Sequence, residues 1–172
     1  PFTAPPFLRA IMRLTRWTDY ALRLLMYCAV HQQREHPITI SEVAQVHNIS
    51  RSHLTKIVQD LAGRGLLETT RGRGGGMRLL RPAQEVSLGT VVRATETDFD
   101  MVECFNPATN ACYLSSNCRL KSVLSQATQA FLRTLDGVTL ADLVADADAA
   151  ALMRSAAGQP TIQPLIAFPR VR

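Results

Sequence analysis

A glycine-rich segment in the middle of the chain limits the possible folds more than any other feature. Residues 71–76 read Arg-Gly-Arg-Gly-Gly-Gly and lie between two short strand-like stretches at 66–70 and 77–80. Glycine reaches backbone angles that other residues avoid, so this run interrupts a helix and favours a tight turn. We therefore predict a β-hairpin, which Pro82 ends. A phosphate-binding P-loop is excluded, because the run carries no Gly-Lys-Ser/Thr and no helix follows it.

Three amphipathic helices are predicted before the hairpin, because apolar residues recur at helical spacing. They are expected at residues 19–31, 41–46 and 51–62, with Thr18, Ser41 and Ser50 as their N-caps. A tight turn at residues 48–50 separates the second helix from the third. Helix, turn, helix and hairpin in this order form a winged helix-turn-helix. The predicted fold class is therefore mainly α, with a small β-hairpin wing.

The charge distribution indicates a nucleic-acid partner. Residues 1–81 hold 12 Lys and Arg against 5 Asp and Glu, whereas residues 82–172 hold 7 against 9. A basic half joined to a slightly acidic half suits a DNA-binding domain with a separate control region. The start of the third helix is expected in the major groove and the hairpin tip in the minor groove, unless these charges are merely solvated. The predicted DNA contacts are Arg51, Ser52, His53, Lys56, Arg71, Arg73 and Arg78.

The second half is predicted to contain a helix at 87–95, a loop of about 20 residues, a long helix at 119–135 and a short helix at 140–144. The long helix carries one apolar stripe, which is either core or a dimer interface; a two-fold operator favours the interface. The expected organisation is an N-terminal extension or remnant at 1–11, the winged domain at 12–82, the loop and dimerisation helix at 83–145, and a mobile tail at 146–172.

Three cysteines cluster in the long loop. Cys104, Cys112 and Cys118 are spaced C-x7-C-x5-C, whereas Cys28 lies in an apolar helical stretch and is expected in the core. The chain shows no secretion signal and no transmembrane segment, so we expect a cytoplasmic protein whose clustered cysteines form a metal or redox site. An iron–sulfur cluster, a zinc ion, redox-active thiols and unconnected cysteines all remain open, although zinc sites usually show C-x2-C pairs.

Several segments resemble the bacterial iron–sulfur repressors that include NsrR and IscR. Three of them are Met12-Arg-Leu-Thr-Arg-Trp-Thr-Asp-Tyr-Ala-Leu-Arg23, Ser50-Arg-Ser-His-Leu-Thr-Lys-Ile57 and Arg71-Gly-Arg-Gly-Gly-Gly-Met-Arg-Leu79. The segments Val102-Glu-Cys104, Cys118-Arg-Leu-Lys121, Phe131-Leu132 and Val138-Thr-Leu-Ala-Asp-Leu143 look most like the branch that responds to nitric oxide. The resemblance covers about residues 12–145.

This resemblance implies a homodimer that binds double-stranded promoter DNA at a palindromic operator, with one winged domain on each half. It further implies that the dimer releases the DNA when nitric oxide reacts with the cluster. Each subunit would hold one iron–sulfur cluster, of two or four irons, on Cys104, Cys112 and Cys118. In that branch an aspartate near the N-terminus of the partner subunit can supply the fourth ligand, and Asp19 occupies the matching place. Alternatively, Asp19 is a favourable charge at a helix start. Glu103 is a second, less favoured candidate for the fourth ligand.

Other functions fit the sequence less well. A relative of IscR would sense iron–sulfur supply or redox state, and a zinc-stabilised winged helix would serve as an interaction module. An electron carrier would normally offer four cysteines per cluster and would not need a basic hairpin. An enzyme is not expected, because neither a nucleophile–base pair nor a cofactor fingerprint is recognisable.

Overall fold

The computed structural model describes residues 13–145 and residue 151. The helices and strands of this part follow one another as α1 (Arg16–Val30), α2 (Ile40–His47), α3 (Arg51–Gly63), β1 (Leu67–Thr70), β2 (Gly76–Leu79), α4 (Leu88–Thr95), α5 (Arg119–Asp136) and α6 (Leu140–Val144). Short 3₁₀ turns lie at Ala83–Glu85 and Glu103–Phe105. The mainly helical fold with a small hairpin is confirmed. Among the described residues, no helix is long and apolar enough to cross a bilayer.

Two predicted helix starts were wrong by a few residues. The helix α1 begins at Arg16, because the Thr15 side chain accepts the Thr18 backbone N–H at 3.3 Å and caps the helix three residues earlier. The helix α2 begins at Ile40, because Thr39 accepts the Glu42 N–H in the same way. Capping depends on which hydroxyl reaches the free amides of the first turn, and neighbouring threonines and serines compete for this position.

The helix-turn-helix is held together by apolar side chains from α1, α2 and α3. Leu24, Val43, Leu54, Ile57 and Leu61 are all fully buried. The predicted turn between α2 and α3 passes through Asn48, whose φ of 51° places it in the left-handed region. Ser50 then caps α3 as predicted, accepting the His53 backbone N–H at 3.3 Å. The exposed face of α3 is thereby fixed relative to α1.

The hairpin pairs β1 with β2 in antiparallel register, from Leu67 opposite Leu79 to Thr70 opposite Gly76. Ile38 adds a short bridge on the outer side of β2, with backbone hydrogen bonds of 3.1 and 2.8 Å to Met77. A Cβ at Gly76 would lie 2.5 Å from the Ile38 carbonyl oxygen, so only glycine permits this approach. The predicted hairpin is confirmed, and the bridge adds a third strand-like segment that the sequence did not indicate.

The helices α4 and α6 complete the core of the winged helix. Val91 and Leu140 are fully buried and belong to the same hydrophobic cluster as Leu24 and Leu54. Backbone hydrogen bonds from Leu140 to Val86 and from Leu88 to Val138 hold the two helix starts together. The helix α1 consequently packs against elements from both halves of the sequence.

A polar network ties α1, α2 and the segment between them. Tyr27 is fully buried, and its hydroxyl donates to the Glu42 carboxylate at 2.7 Å. The Arg34 guanidinium pairs with the same carboxylate. Partial burial raises the pKa of Glu42, but the hydrogen bonds from Arg34 and Tyr27 outweigh it and hold that pKa below its usual value. The folded protein therefore favours the ionised carboxylate.

We predict that, at acid pH, the free energy of unfolding of E42Q depends less on pH than that of the wild type. Because the pKa of Glu42 is lowered on folding, the unfolded chain binds its proton first, and wild-type stability falls as the pH drops below the usual glutamate pKa of about 4.3. Urea unfolding at a series of pH values should show E42Q less stable near neutrality, with the gap narrowing in acid. E85Q, at an exposed glutamate, should follow the wild type. A gap between E42Q and wild type that stays constant with pH would contradict this.

A second prediction concerns the contact between α4 and α5. A Cβ at Gly89 would lie 1.9 Å from Oδ1 of Asp136, whose carboxylate is paired with Arg93 at 2.5 Å. The exposed carboxylate can swing aside, so G89A should break its pair with Arg93 and lower the melting temperature only modestly. G63A is the matched control, because a Cβ at Gly63 meets nothing within 4 Å. Equal melting temperatures for the two variants would show that α5 does not depend on this contact.

Candidate nucleic-acid interface and metal centre

The helix α3 separates into a buried face and a polar face. Its buried side chains are apolar, whereas Arg51, Ser52, Lys56 and Gln59 are exposed. Ser52, Lys56 and Gln59 recur about one helical turn apart and Arg51 adjoins Ser52, so the four residues lie on the same side of the helix. Gln59 was missed by the sequence reasoning, although its position eight residues after Arg51 places it on this face.

A groove of about 410 Å³ lies between α3 and the hairpin. Its polar lining comes from both elements and includes Arg51, Thr55, Gln59, Thr69, Thr70 and Arg71. None of the described residues that line it is an Asp or Glu. A concave surface with arginines, hydroxyls and no carboxylate suits a polyanion such as the DNA backbone.

The predicted base-reading residue His53 is engaged within the protein. Its ring lies 5.2 Å from the Tyr20 ring in an edge-on arrangement and 5.8 Å from the Trp17 ring. The Trp17 indole N–H in turn donates to Asp60 at 3.1 Å. His53 therefore joins α3 to the first turns of α1, a role that the sequence did not indicate, and its contact with DNA stays a prediction.

The three hairpin arginines differ in their exposure and in their hydrogen bonds. Arg71 and Arg73 are exposed at the tip, next to Gly72 and Gly74, which both have positive φ. Arg78 is half-buried instead, and its guanidinium donates to the backbone carbonyl of Arg34 at 2.6 Å and to that of Glu35. The predicted direct contact of Arg78 with DNA thus competes with two hydrogen bonds inside the domain.

The three clustered cysteines lie at successive points of the segment between α4 and α5. Cys104 is buried in the 3₁₀ turn, Cys112 is half-buried in the following turn, and Cys118 occupies the N-cap position of α5. The Glu103 carboxylate accepts the Ala111 backbone N–H at 2.9 Å. This bond joins the residue before Cys104 to the residue before Cys112, so the first two cysteine segments are neighbours.

The structure does not gather the sulfurs into a metal site. Within residues 13–145, no group of three or more His, Cys, Asp and Glu side chains lies close enough to hold a metal ion, and the cysteines there are free thiols. The donor set still fits an iron–sulfur cluster chemically, because three thiols on one loop offer the soft ligands that iron–sulfur clusters require. Their convergence on one cluster therefore stays a prediction.

The remaining candidate ligands differ in their surroundings. Burial raises the pKa of the Cys28 thiol to about 12, and this side chain is 1% exposed, so the predicted core role of Cys28 is confirmed. Asp19 lies in the first turn of α1 and pairs with Arg23 at 2.8 Å. This position fits the charge–dipole alternative, and a role for Asp19 of the partner subunit as fourth ligand stays a prediction. The Glu103 carboxylate accepts a hydrogen bond from the Ala111 backbone amide.

The helix α5 leaves its apolar stripe uncovered. None of its side chains is buried, and Leu120, Val123 and Phe131 are 62%, 51% and 42% exposed. An adjoining groove of about 490 Å³ is lined mostly by apolar side chains, among them Leu22, Leu88 and Leu135, and its rim also carries carboxylates of residues 96–100. Exposed apolar surface of this extent is typical of an interface.

Comparison with known proteins identifies the family. Residues 14–146 match the model of the Rrf2 family, described as an iron-dependent transcriptional regulator. The HTH-type transcriptional regulator NsrR of Halalkalibacterium halodurans is 47% identical over 137 residues, covering 80% of this chain and 93% of the relative. The protein of the same name from Bacillus subtilis is 45% identical over 133 residues, covering 77% and 90%.

Solved structures agree on the fold. The structure of T. potens IscR superposes with a TM-score of 0.63 at 24% identity, over 79% of this chain and 88% of that chain. Oxidized Staphylococcus aureus CymR superposes with a TM-score of 0.60 at 27% identity, over 77% and 95%. Given this shared fold, the family match over most of the chain and the close NsrR relatives, the chain belongs to the Rrf2 family, whose members are DNA-binding transcriptional regulators and not enzymes.

Proposed function

We propose that the protein is a homodimeric repressor that nitric oxide releases from promoter DNA by reacting with an iron–sulfur cluster on Cys104, Cys112 and Cys118. The observation that carries this proposal is the position of the three free thiols. They lie on the one segment that connects α4, part of the winged-helix core, to the uncovered helix α5. A change in this segment can therefore alter how α5 is held relative to the DNA-binding face.

DNA binding is assigned to the polar face of α3 and to the hairpin tip. Arg51 and Ser52 stand at the exposed start of α3, where a recognition helix meets base edges, and Lys56 one turn later suits a phosphate. Arg71 and Arg73 at the tip are free to reach the minor groove, whose negative potential attracts arginine. The groove between α3 and the hairpin would then follow the sugar–phosphate backbone.

Dimerisation is assigned to the apolar stripe of α5. The stripe is exposed along the helix, and covering it with the same helix of a second copy would satisfy two-fold symmetry. Two winged helices would then read the two halves of a palindromic operator, with their spacing fixed by the dimer.

Sensing is assigned to the cysteine loop. When bound, a cluster would supply iron that reacts with nitric oxide. The residues themselves would contribute three thiolates, and Asp19 of the partner subunit is the candidate fourth ligand. The Glu103–Ala111 hydrogen bond would hold the first two cysteine segments together around the cluster. If the cluster were lost, the three cysteines would no longer be joined to one another. The loop, and with it the start of α5, would then be free to move.

The assignment on α3 predicts different effects for two basic residues. On a duplex selected from a random-sequence pool by the wild-type protein, R51Q should cost about 1–3 kcal/mol of binding and relax the preference for one base. K56Q should weaken binding to all sequences alike and reduce the log–log salt slope by about 0.9 per lost phosphate contact. R64Q removes a positive charge at the other end of α3 and should change neither the base preference nor the salt slope. Unchanged specificity in R51Q would refute its role in base reading.

The sensing assignment predicts that C112A loses both the cluster and tight DNA binding. Anaerobically purified wild type should contain iron and sulfide, absorb in the visible range, and lose absorbance and duplex binding in parallel as nitric oxide is added. C112A should lack the absorbance and bind the duplex more weakly. C28A is the control, because Cys28 lies in the core, and it should retain the absorbance. Zinc in place of iron, or a C112A protein with normal absorbance and binding, would refute the proposal.

A further inference from the structure

We propose that Arg78 is a positioning residue that sets the angle of the hairpin by fastening β2 to the segment between α1 and α2. The role rests on the proposed contact of the hairpin tip with DNA and extends it, since Arg78 would act on DNA only through Arg71 and Arg73. The sequence pattern alone placed Arg78 among the direct contacts, so the two roles make opposing predictions.

The geometry of Arg78 favours an internal role. Its two terminal nitrogens donate to the carbonyl oxygens of consecutive residues, Arg34 at 2.6 Å and Glu35. A planar guanidinium can bind two adjacent acceptors at once, whereas the single ammonium of lysine cannot reproduce this fork. The side chain is half-buried, in contrast to the exposed Arg71 and Arg73.

The segment that receives Arg78 is itself firmly anchored. The Arg34 side chain pairs with Glu42 on α2, and Glu42 accepts the hydroxyl of the fully buried Tyr27 on α1. A continuous path of hydrogen bonds therefore runs from the core to β2. This path makes the segment a fixed support for Arg78.

The hairpin is also attached to residues 37–38, slightly closer to its tip than Arg78. The paired strands are four residues long, and Met77, which bridges to Ile38, lies between Arg78 and the tip. The tip residues 71–74 are exposed. With the fork lost, the Ile38–Met77 bridge would be left to join β2 to this segment, and rotation of β2 about the bridge would displace Arg71 and Arg73. Loss of the fork should therefore weaken the DNA contacts of the tip without removing any DNA-contacting side chain.

The test compares R78Q and R78K in the anaerobically purified full chain, with the selected duplex at one fixed salt concentration. A positioning role predicts that both variants weaken binding by about tenfold, because neither side chain can form the fork. A phosphate contact predicts that R78K keeps near wild-type affinity. R81Q, which removes an exposed positive charge just beyond β2, is the matched control and should change affinity little. Thermal melting of each variant, and titration of its DNA-binding-competent fraction with excess duplex, correct for any unfolded fraction.

A double-mutant cycle separates this inference from the function on which it rests. If Arg78 acts through the tip, adding R78Q to R71Q/R73Q should weaken binding by less than about twofold, because the tip contacts are already lost. A further loss of about tenfold in that background, or rescue by R78K, would overturn the positioning role while leaving the hairpin contact intact. If R71Q/R73Q itself binds like the wild type, the proposed hairpin contact fails, and the positioning role fails with it.

Discussion

The burial of α1 is the constraint on which the rest of the structure depends. Leu24, Leu25 and Tyr27 are fully buried, and the helix packs against α2, α3, α4, α6 and β2. Most of the hydrophobic stabilisation of a domain this small must come from such a shared surface. The helix α3, the hairpin and the helix α6 therefore all take their positions from α1.

The first turns of α1 also contact both the start of the cysteine segment and α3. The Thr15 backbone N–H donates to Glu96 at 2.8 Å, at the point where the cysteine segment leaves α4. Two residues later, the Trp17 side chain reaches Asp60 on α3. The cysteine segment and α3 are therefore neighbours of the same short stretch, although they are far apart in the sequence.

Much of the fold could be predicted from the sequence because local signals agreed with one another. The glycine run specified the hairpin, Ser50 capped α3, and apolar spacing located the core faces of the helices. The starts of α1 and α2 were misplaced because several hydroxyl residues compete for each cap. The packing of His53 and the internal bonds of Arg78 could not be predicted, because they depend on residues distant in the sequence. The cysteine spacing indicated a shared site, but it carries no information on how the intervening loop folds.

The uncovered stripe of α5 has a thermodynamic consequence. An 18-residue helix with no fully buried side chain gains little from packing within the subunit, although such packing is the main source of helix stability in proteins. In the proposed dimer, ordering this helix and joining a second copy become a single process. The melting temperature of the protein would then depend on its concentration, and dilution would lower it. A cell that makes few copies would hold a less stable protein than a cell that makes many.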